Sequence, residues 1–316
     1  MGSLGMGYAR VALLALLTVP LLAACGSEAP ASPPGPSPTR STAIGTPGAT
    51  VTVPLGDRPF TLHVPRTYDP ASPAPLVVLL HGFTASSTVQ EAYFKLTAES
   101  DRRGFLYARP DGTEDRQGRR FWNATDACCD FNHTGIDDST YLKRLIDTVK
   151  GSYAVDAARV YIVGHSNGGF MAYRMACEHA SEITAVVSLA GAATAQASQC
   201  RPARAVSVLQ IHGTDDRTIR YGGGANAGQR YPSVATTLAT WRRLDGCSNR
   251  ADTSARPLDL DSRLRGRETS ITTYSSGCRG GTRVELWSIK GGAHVPALTA
   301  AFAPAIVDFM FARRSA

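Results

Sequence analysis

The chain has 316 residues, with 30 Gly, 19 Pro and 7 Cys, and its 33 basic and 26 acidic residues leave a formal net charge of +7. The basic residues, 29 of them Arg, are scattered, with local density at Arg263, Arg265 and Arg267. No basic helix interleaved with aromatics occurs, which speaks against a nucleic-acid partner and for a soluble charged surface.

In chain order, Arg10 precedes an apolar run over 11–22 that closes on Leu22-Ala23-Ala24-Cys25. About a dozen apolar residues are too few to span a bilayer and suit a signal-peptide core. Small residues before a cysteine resemble the bacterial lipobox, in which Cys25 becomes the lipidated N-terminus. Residues 26–48 are rich in Pro, Ser, Thr and Ala and read as a tether, partly extended through its prolines. The expected organisation is a lipoprotein signal peptide over 1–25, a tether over 26–48 and one domain over 49–316. The protein is then held by lipid on the outer face of the cell membrane, or secreted.

Loose alternation over 51–64 around Gly56-Asp57 predicts an antiparallel hairpin. The apolar run over 75–80 predicts a strand covered on both faces, ending in His81-Gly82-Phe83-Thr84. A helix follows over 87–103, a strand over 105–108 and a polar loop over 110–133. Asp137 or Asp138 caps a helix that runs to Lys150. Further strands are predicted over 159–163, 185–190, 206–211 and 283–289, and helices over 169–176, 233–244 and 304–312, the last with Pro304 suited to the first helical position. Strands alternate with helices, so a mostly parallel central sheet with helices on both faces is expected.

One turn carries chemistry. Gly164-His165-Ser166-Asn167-Gly168 lies between the strand over 159–163 and the helix that follows. A serine between glycines on a strand-to-helix turn is the nucleophile-elbow pattern, which makes the fold class α/β, of the α/β-hydrolase type. A serine hydroxyl needs a base, and the base needs a carboxylate to fix its tautomer. In this fold the chain order is Ser, then Asp or Glu, then His. Of the seven histidines only His179, His212 and His294 follow Ser166. His179 falls on the helix after the elbow and His212 precedes both adjacent acids, where it braces the loop. His294 alone follows Asp215 and Asp216, in the glycine-rich segment Gly291-Gly292-Ala293-His294. Spacing does not separate Asp215 from Asp216, while Asp245 and Asp252 follow a helix in polar sequence. For the oxyanion hole, the N–H of Asn167 at a helix start and that of Phe83 are the expected donors. His81 and His165, which flank these positions, are counted as substrate-binding candidates.

With Cys25 assigned to lipid, six cysteines remain, and an exported chain makes disulfides the default. The expected pairs are Cys177–Cys200 and Cys247–Cys278, with Cys128 and Cys129 either a vicinal bridge or two thiols. No Cys-x-x-Cys pair and no His pair at ligand spacing is present, so neither a metal nor another cofactor is expected.

Several motifs together resemble a known family. Gly-His-Ser-Asn-Gly-Gly at 164–169, His-Gly-Thr-Asp-Asp at 212–216, Tyr-Pro-Ser-Val at 231–234 with Trp241 and Gly246-Cys247, Ala127-Cys128-Cys129 and Ile136-Asp137-Asp138 form the set. They resemble the secreted polyhydroxybutyrate depolymerase and feruloyl esterase family, the carbohydrate-esterase branch of α/β-hydrolases, which includes actinobacterial lipoprotein esterases. The resemblance runs from about residue 50 to the C-terminus. It implies a serine carboxylic-ester hydrolase acting through an acyl-enzyme on an acylated polysaccharide, a hydroxycinnamate ester or a polyester. The family's His-Gly-x-x-Asp pattern implies that the acid is Asp216. Its members commonly carry a Trp soon after the triad His, whereas here Val295-Pro296-Ala297 follow His294. Phe121 and Trp122 in the polar loop are the expected replacements for that aromatic platform. Two other functions compete: acyl transfer in the envelope with a sugar hydroxyl in place of water, and a non-catalytic binding lipoprotein on the same fold.

Overall fold

The computed structural model describes residues 45–315 together with Gly2. The expected signal peptide, its Cys25 and most of the tether lie outside the described residues.

The first half of the domain runs β1 (Thr50–Val53), β2 (Phe60–His63), β3 (Ala74–Leu80), α1 (Ser87–Phe94), α2 (Leu96–Arg103) and β4 (Leu106–Pro110). It continues through β5 (Thr113–Glu114), β6 (Arg120–Phe121), α3 (Asp138–Ser152), β7 (Val155–His165) and α4 (Asn167–Glu178). The second half is β8 (Ala185–Leu189), β9 (Ser207–Gly213), β10 (Gly224–Asn226), β11 (Gln229–Tyr231) and α5 (Val234–Asp245). It ends with β12 (Thr269–Tyr274), β13 (Val284–Ile289) and α6 (Phe302–Phe311).

Nine strands form one sheet in the order β1-β2-β4-β3-β7-β8-β9-β13-β12. From β4 to β13 neighbours are parallel, and the flanking pairs β1–β2, β2–β4 and β12–β13 are antiparallel. The apolar run of β3 explains the layering: all seven of its residues are buried. Leu76, Val78 and Leu80 enter a core shared with Leu142 of α3, Phe170 of α4 and Leu238 of α5. Val77 and Leu79 enter a second core with Phe94 of α1 and Phe302 and Ile306 of α6. Alternate side chains of one strand thus feed both faces, as a sheet covered on both sides requires.

Four features depart from the sequence expectation. The helix predicted over 87–103 is two helices that meet at Lys95, whose φ of 57° is left-handed. The Glu91 carboxylate accepts the N–H groups of Leu96 and Thr97 at 3.2 and 2.9 Å, so a side chain restarts the helix. β12 was not expected: its residues sit in a polar stretch, and pairing with β13 makes it a strand. The hairpin β5–β6 likewise arises inside the expected polar loop, and β10–β11 forms in a stretch for which no element was expected. α6 starts at Phe302, so Pro304 is its third residue, still within the turn whose N–H groups lack helical partners.

Candidate active site

β7 runs into α4 through the single residue Ser166, at φ 53° and ψ −118°. A non-glycine residue there is strained, and close packing on both sides holds it. A Cβ on Gly164 would fall 2.1 Å from Gly168 O, and one on Gly168 would fall 2.1 Å from Leu80 O. Glycine is therefore obligatory where α4 crosses the ends of β7 and β3. The Ser166 N–H donates to Leu189 O at 2.8 Å, tying the turn to β8.

Two loops bring partners to this serine. Gly213 at the end of β9 lies against Gly292: a Cβ on Gly213 would meet Gly292 O at 2.1 Å. The Thr214 N–H donates to Ile289 O, the Asp215 N–H to Gly292 O and the Gly291 N–H to Thr214 Oγ1. This stitching sets Asp216 and His294 side by side. His294 Nδ1 donates to Asp216 Oδ2 at 2.7 Å, and His294 Nε2 accepts from Ser166 Oγ at 2.9 Å. Asp215 points elsewhere, exposed, with Thr214 Oγ1 on its carboxylate at 3.4 Å.

Asp216 is 4% exposed. Its Oδ1 accepts the N–H groups of Thr218 and Ile219 at 2.8 and 2.9 Å. Burial alone would push its carboxyl up, but the hydrogen bonds and charges of His212 and His294 outweigh that and hold it well below the usual carboxylate range. His212 Nε2 stands 3.2 Å from Asp216 Oδ2 and donates to Ile219 O at 2.7 Å. Its Nδ1 accepts from Gln210 Nε2 at 2.9 Å, which fixes the tautomer that presents N–H to Asp216. A serine, an imidazole and an ionised carboxylate aligned in this way can transfer a proton from the hydroxyl as it attacks a carbonyl.

The loop after β3 passes beside the serine, since a Cβ on Gly82 would stand 3.6 Å from Ser166 Cβ. Its N–H groups are mostly spoken for. Gly82 donates to Gln90 Oε1, Thr84 to Arg120 O and Ala85 to Gly82 O. The Phe83 N–H has no hydrogen-bond partner among the described residues. The Asn167 N–H opens the first turn of α4, where helical partners are lacking and the dipole favours negative charge.

The phospholipase/carboxylesterase family matches residues 65–248, more than half of the chain. The chain belongs to that family. It is an esterase of the α/β-hydrolase superfamily, a carboxylic ester hydrolase. NocK of Nocardia uniformis subsp. tsuyamanensis, which carries an esterase designation, is 29% identical over 96% of this chain and 94% of its own. Feruloyl esterase B of Piromyces equi is 24% identical over 70% of this chain, and the match spans 39% of that protein's length. Among solved structures, the acetyl xylan esterase of Aspergillus awamori superposes with a TM-score of 0.61 over 84% of this chain and 99% of its own. At 13% identity that likeness speaks for the fold.

In the esterase, four residues expected to meet substrate are placed otherwise. Phe121 and Trp122 are 1% and 0% exposed and offer no platform. The Trp122 N–H donates to Asn167 Oδ1 at 2.7 Å, Asn167 Nδ2 returns a bond to Trp122 O at 2.8 Å, and the indole N–H donates to His81 O at 3.1 Å. A tryptophan so bonded is a brace for the elbow. His81 is fully buried, with Nδ1 donating to Gly82 O and Nε2 accepting from Gly112 N, both at 2.8 Å. Burial lowers its pKa, so it holds the loops as a neutral ring. His165 is 7% exposed and donates from Nε2 to His294 O at 3.1 Å. Burial, helped by the charge of His294, brings its pKa down to about 4. Its bond to the His294 carbonyl ties the loop that carries His294 to the elbow.

Apolar side chains stand nearby: Phe83, expected only for its N–H, is half-buried and lies edge-on to Phe131, and Val295 beside His294 is 50% exposed. The structure joins Cys177 to Cys200, Cys247 to Cys278 and Cys128 to Cys129. The last bridge is buried, and Asn167 Nδ2 lies 3.4 Å from Cys128 Sγ.

Proposed function

We propose that the esterase is an exported serine hydrolase, anchored to the outer face of the membrane through lipid on Cys25, with residues 26–48 as tether and 49–316 as its catalytic domain. Its substrates are feruloyl or acetyl esters of cell-wall polysaccharides. The names of its relatives, which include a bifunctional acetylxylan esterase/xylanase from Neocallimastix patriciarum, support that substrate class.

The observation that carries the chemistry is the line from Ser166 Oγ through His294 to Asp216, at 2.9 and 2.7 Å. Ser166 Oγ attacks the ester carbonyl carbon while His294 Nε2 takes the hydroxyl proton, and Asp216 stabilises the imidazolium. The N–H groups of Phe83 and Asn167 receive the oxyanion. Collapse breaks the carbon–alcohol bond, and the proton on His294 leaves with the alcohol. Water then attacks the acyl-enzyme, gives a proton to His294 and frees the acid, and Ser166 recovers its hydrogen.

Rapid mixing with p-nitrophenyl acetate tests this reading. A burst of p-nitrophenolate equal to the enzyme concentration is expected, followed by slower turnover. A linear trace that stays linear at saturating substrate, with no acyl-enzyme trapped by acid quench, contradicts it. Release of ferulate from methyl ferulate and of acetate from acetylated xylan, compared with a hydroxybutyrate oligomer, tests the substrate class. Preference for the oligomer would move it to polyesters.

A further inference from the structure

The end of the sheet opposite Ser166 carries a second concentration of chemistry. Ser207 begins β9, and Arg283 precedes β13, whereas Asp216 and His294 follow the other ends of the same two strands. β9 has seven residues, which separates its ends by about 20 Å at the usual rise of a strand. At this amino-terminal end lies a cavity of about 400 Å³ lined by Arg204, Arg279, Arg313 and Arg314, with the hydroxyl-bearing Thr282 and Ser315 among its walls.

Four guanidinium groups around one space require compensation, and little is present. Arg314 pairs with Asp156 at 2.9 Å. Arg204, Arg279 and Arg313 have no ion pair among the described residues. Arg204 donates from Nε to Ala180 O at 2.7 Å and Arg279 donates to Leu244 O, so backbone carbonyls hold both in place without neutralising them. Arg204 Nη2 and Arg313 Nε are buried with no hydrogen-bond partner among the described residues. Two acids stand near: Glu285 is engaged elsewhere, whereas Asp245, whose carboxyl feels the charge of Arg279, keeps a buried Oδ2 without a hydrogen-bond partner among the described residues. Glu285 faces Arg283 at 3.6 Å and accepts from Trp287 Nε1 and Thr273 Oγ1. Asp245 accepts from Val206 N, and burial pushes its carboxyl up to about 7. Burial, and then the like charge of Arg283, also keeps Arg313 below its ordinary value, against the opposing charge of Glu285.

We propose that this cavity is a binding site for a phosphate-class oxyanion, a phosphate ester with a small polar alcohol. Guanidinium forks match tetrahedral oxyanions two bonds at a time, and such a ligand supplies both the missing negative charge and acceptors for the unpartnered N–H groups. The space exceeds what bare phosphate fills, which leaves room for a glycerol-sized substituent. Such a group is carried by a phospholipid headgroup or by a free phosphate ester. The site stands apart from the roles proposed at Ser166, and its test reads binding.

Isothermal titration of the full chain with glycerol phosphate, with inorganic phosphate and with sodium chloride at matched ionic strength tests the site. Saturable binding of glycerol phosphate is expected, weakened about tenfold or more in Arg313→Gln and in Arg204→Gln, in line with the loss of one charge-assisted fork. Hydrolysis of p-nitrophenyl acetate, unchanged in both variants, serves as the control for folding. If Arg204→Gln loses its fold with its bond to Ala180, Arg313→Gln decides, since among the described residues the Arg313 side chain makes no hydrogen bond or ion pair and only lies over the Phe309 ring at 5.9 Å. Heats that match those of chloride, or variants that bind as wild type does, overturn the proposal. Flotation with phosphatidylglycerol against phosphatidylcholine vesicles separates the sources. Arginine-dependent flotation assigns the site to a lipid headgroup, and binding of the soluble ester alone assigns it to a free phosphate ester.

Discussion

The elbow and the loop over 111–137 lie against each other, yet they are ordered by different means. At the elbow, backbone meets backbone. Gly164 and Gly168 leave no room for a Cβ, and Ser166 keeps a left-handed φ because everything around it is already packed. The loop contains only the two-residue strands β5 and β6 and is held by polar side chains that reach in from elsewhere. Asn167 clasps Trp122, His81 receives Gly112, and Asp138 accepts from Asn123 N at 2.7 Å and from Arg58 Nη1 at 2.7 Å. Steric necessity builds the first region and hydrogen-bond satisfaction builds the second. One fails by overpacking, the other by orphaned polar groups.

Substitutions can separate these two modes. The largest effect is expected where the elbow meets its acid. Asp216→Asn should lower kcat by about 10³–10⁴-fold, because the imidazole loses the group that fixes its tautomer. Asp215→Asn should stay within about threefold, as an exposed side chain off the line of transfer does. Equal losses in the two variants, measured with p-nitrophenyl acetate, would displace Asp216 from its role.

Gly168→Ala comes next. A Cβ placed 2.1 Å from Leu80 O forces β3 and α4 apart, at a cost of about 3 kcal/mol or more in denaturant unfolding. A shift below about 0.5 kcal/mol, the range of ordinary surface changes, would show that the elbow is not sterically bound.

Acid should act on the histidines of both regions. His165 in the elbow is brought down to about 4, and His81 under the loop is also lowered. A buried histidine with a depressed pKa binds fewer protons folded than unfolded. Stability is therefore complete above the unfolded value of about 6.5 and falls as pH drops from there toward 4. The contribution of His165 over that window is about 3 kcal/mol at 1.36 kcal/mol per pKa unit. His165→Gln should flatten the pH profile of unfolding by that amount, and an unchanged slope would assign it to other groups.

Asn167→Ala is expected to have a smaller effect than the changes at Asp216, Gly168 and His165. It keeps the backbone N–H at the elbow but leaves the Trp122 N–H buried and unmatched, while the Trp122 C=O keeps only its bond from the Cys129 N–H, costing about 2 kcal/mol. Proteolysis within the loop over 111–137 should accelerate while the elbow stays protected. Uniform loss of protection in hydrogen exchange would mean that the two regions are one cooperative unit.

The same contrast explains what could be read from residues alone. β3 is visible as an apolar run, and the elbow as a serine between glycines whose need is local. The order Ser166, Asp216, His294 follows from chain topology, although spacing left Asp215 and Asp216 equal until the family motif and then the geometry distinguished them. Phe121 and Trp122 read as surface aromatics in polar sequence, since nothing local announces that Asn167, 45 positions away, accepts the Trp122 N–H. β12 escaped because its strand character comes from pairing with β13. The split at Lys95 escaped because a helix pattern does not reveal that Glu91 will cap the next helix. The free N–H of Phe83 emerges only when the bonds of its neighbours are known.

The central claim is that Ser166 is the nucleophile of a carboxylic ester hydrolase. Labelling the purified full chain with a fluorophosphonate probe, followed by peptide mass mapping, tests it most directly. Stoichiometric modification on Ser166, absent in Ser166→Ala and strongly slowed in His294→Ala, is the predicted result. Equal labelling of wild type and Ser166→Ala, or an adduct on another residue, would contradict it.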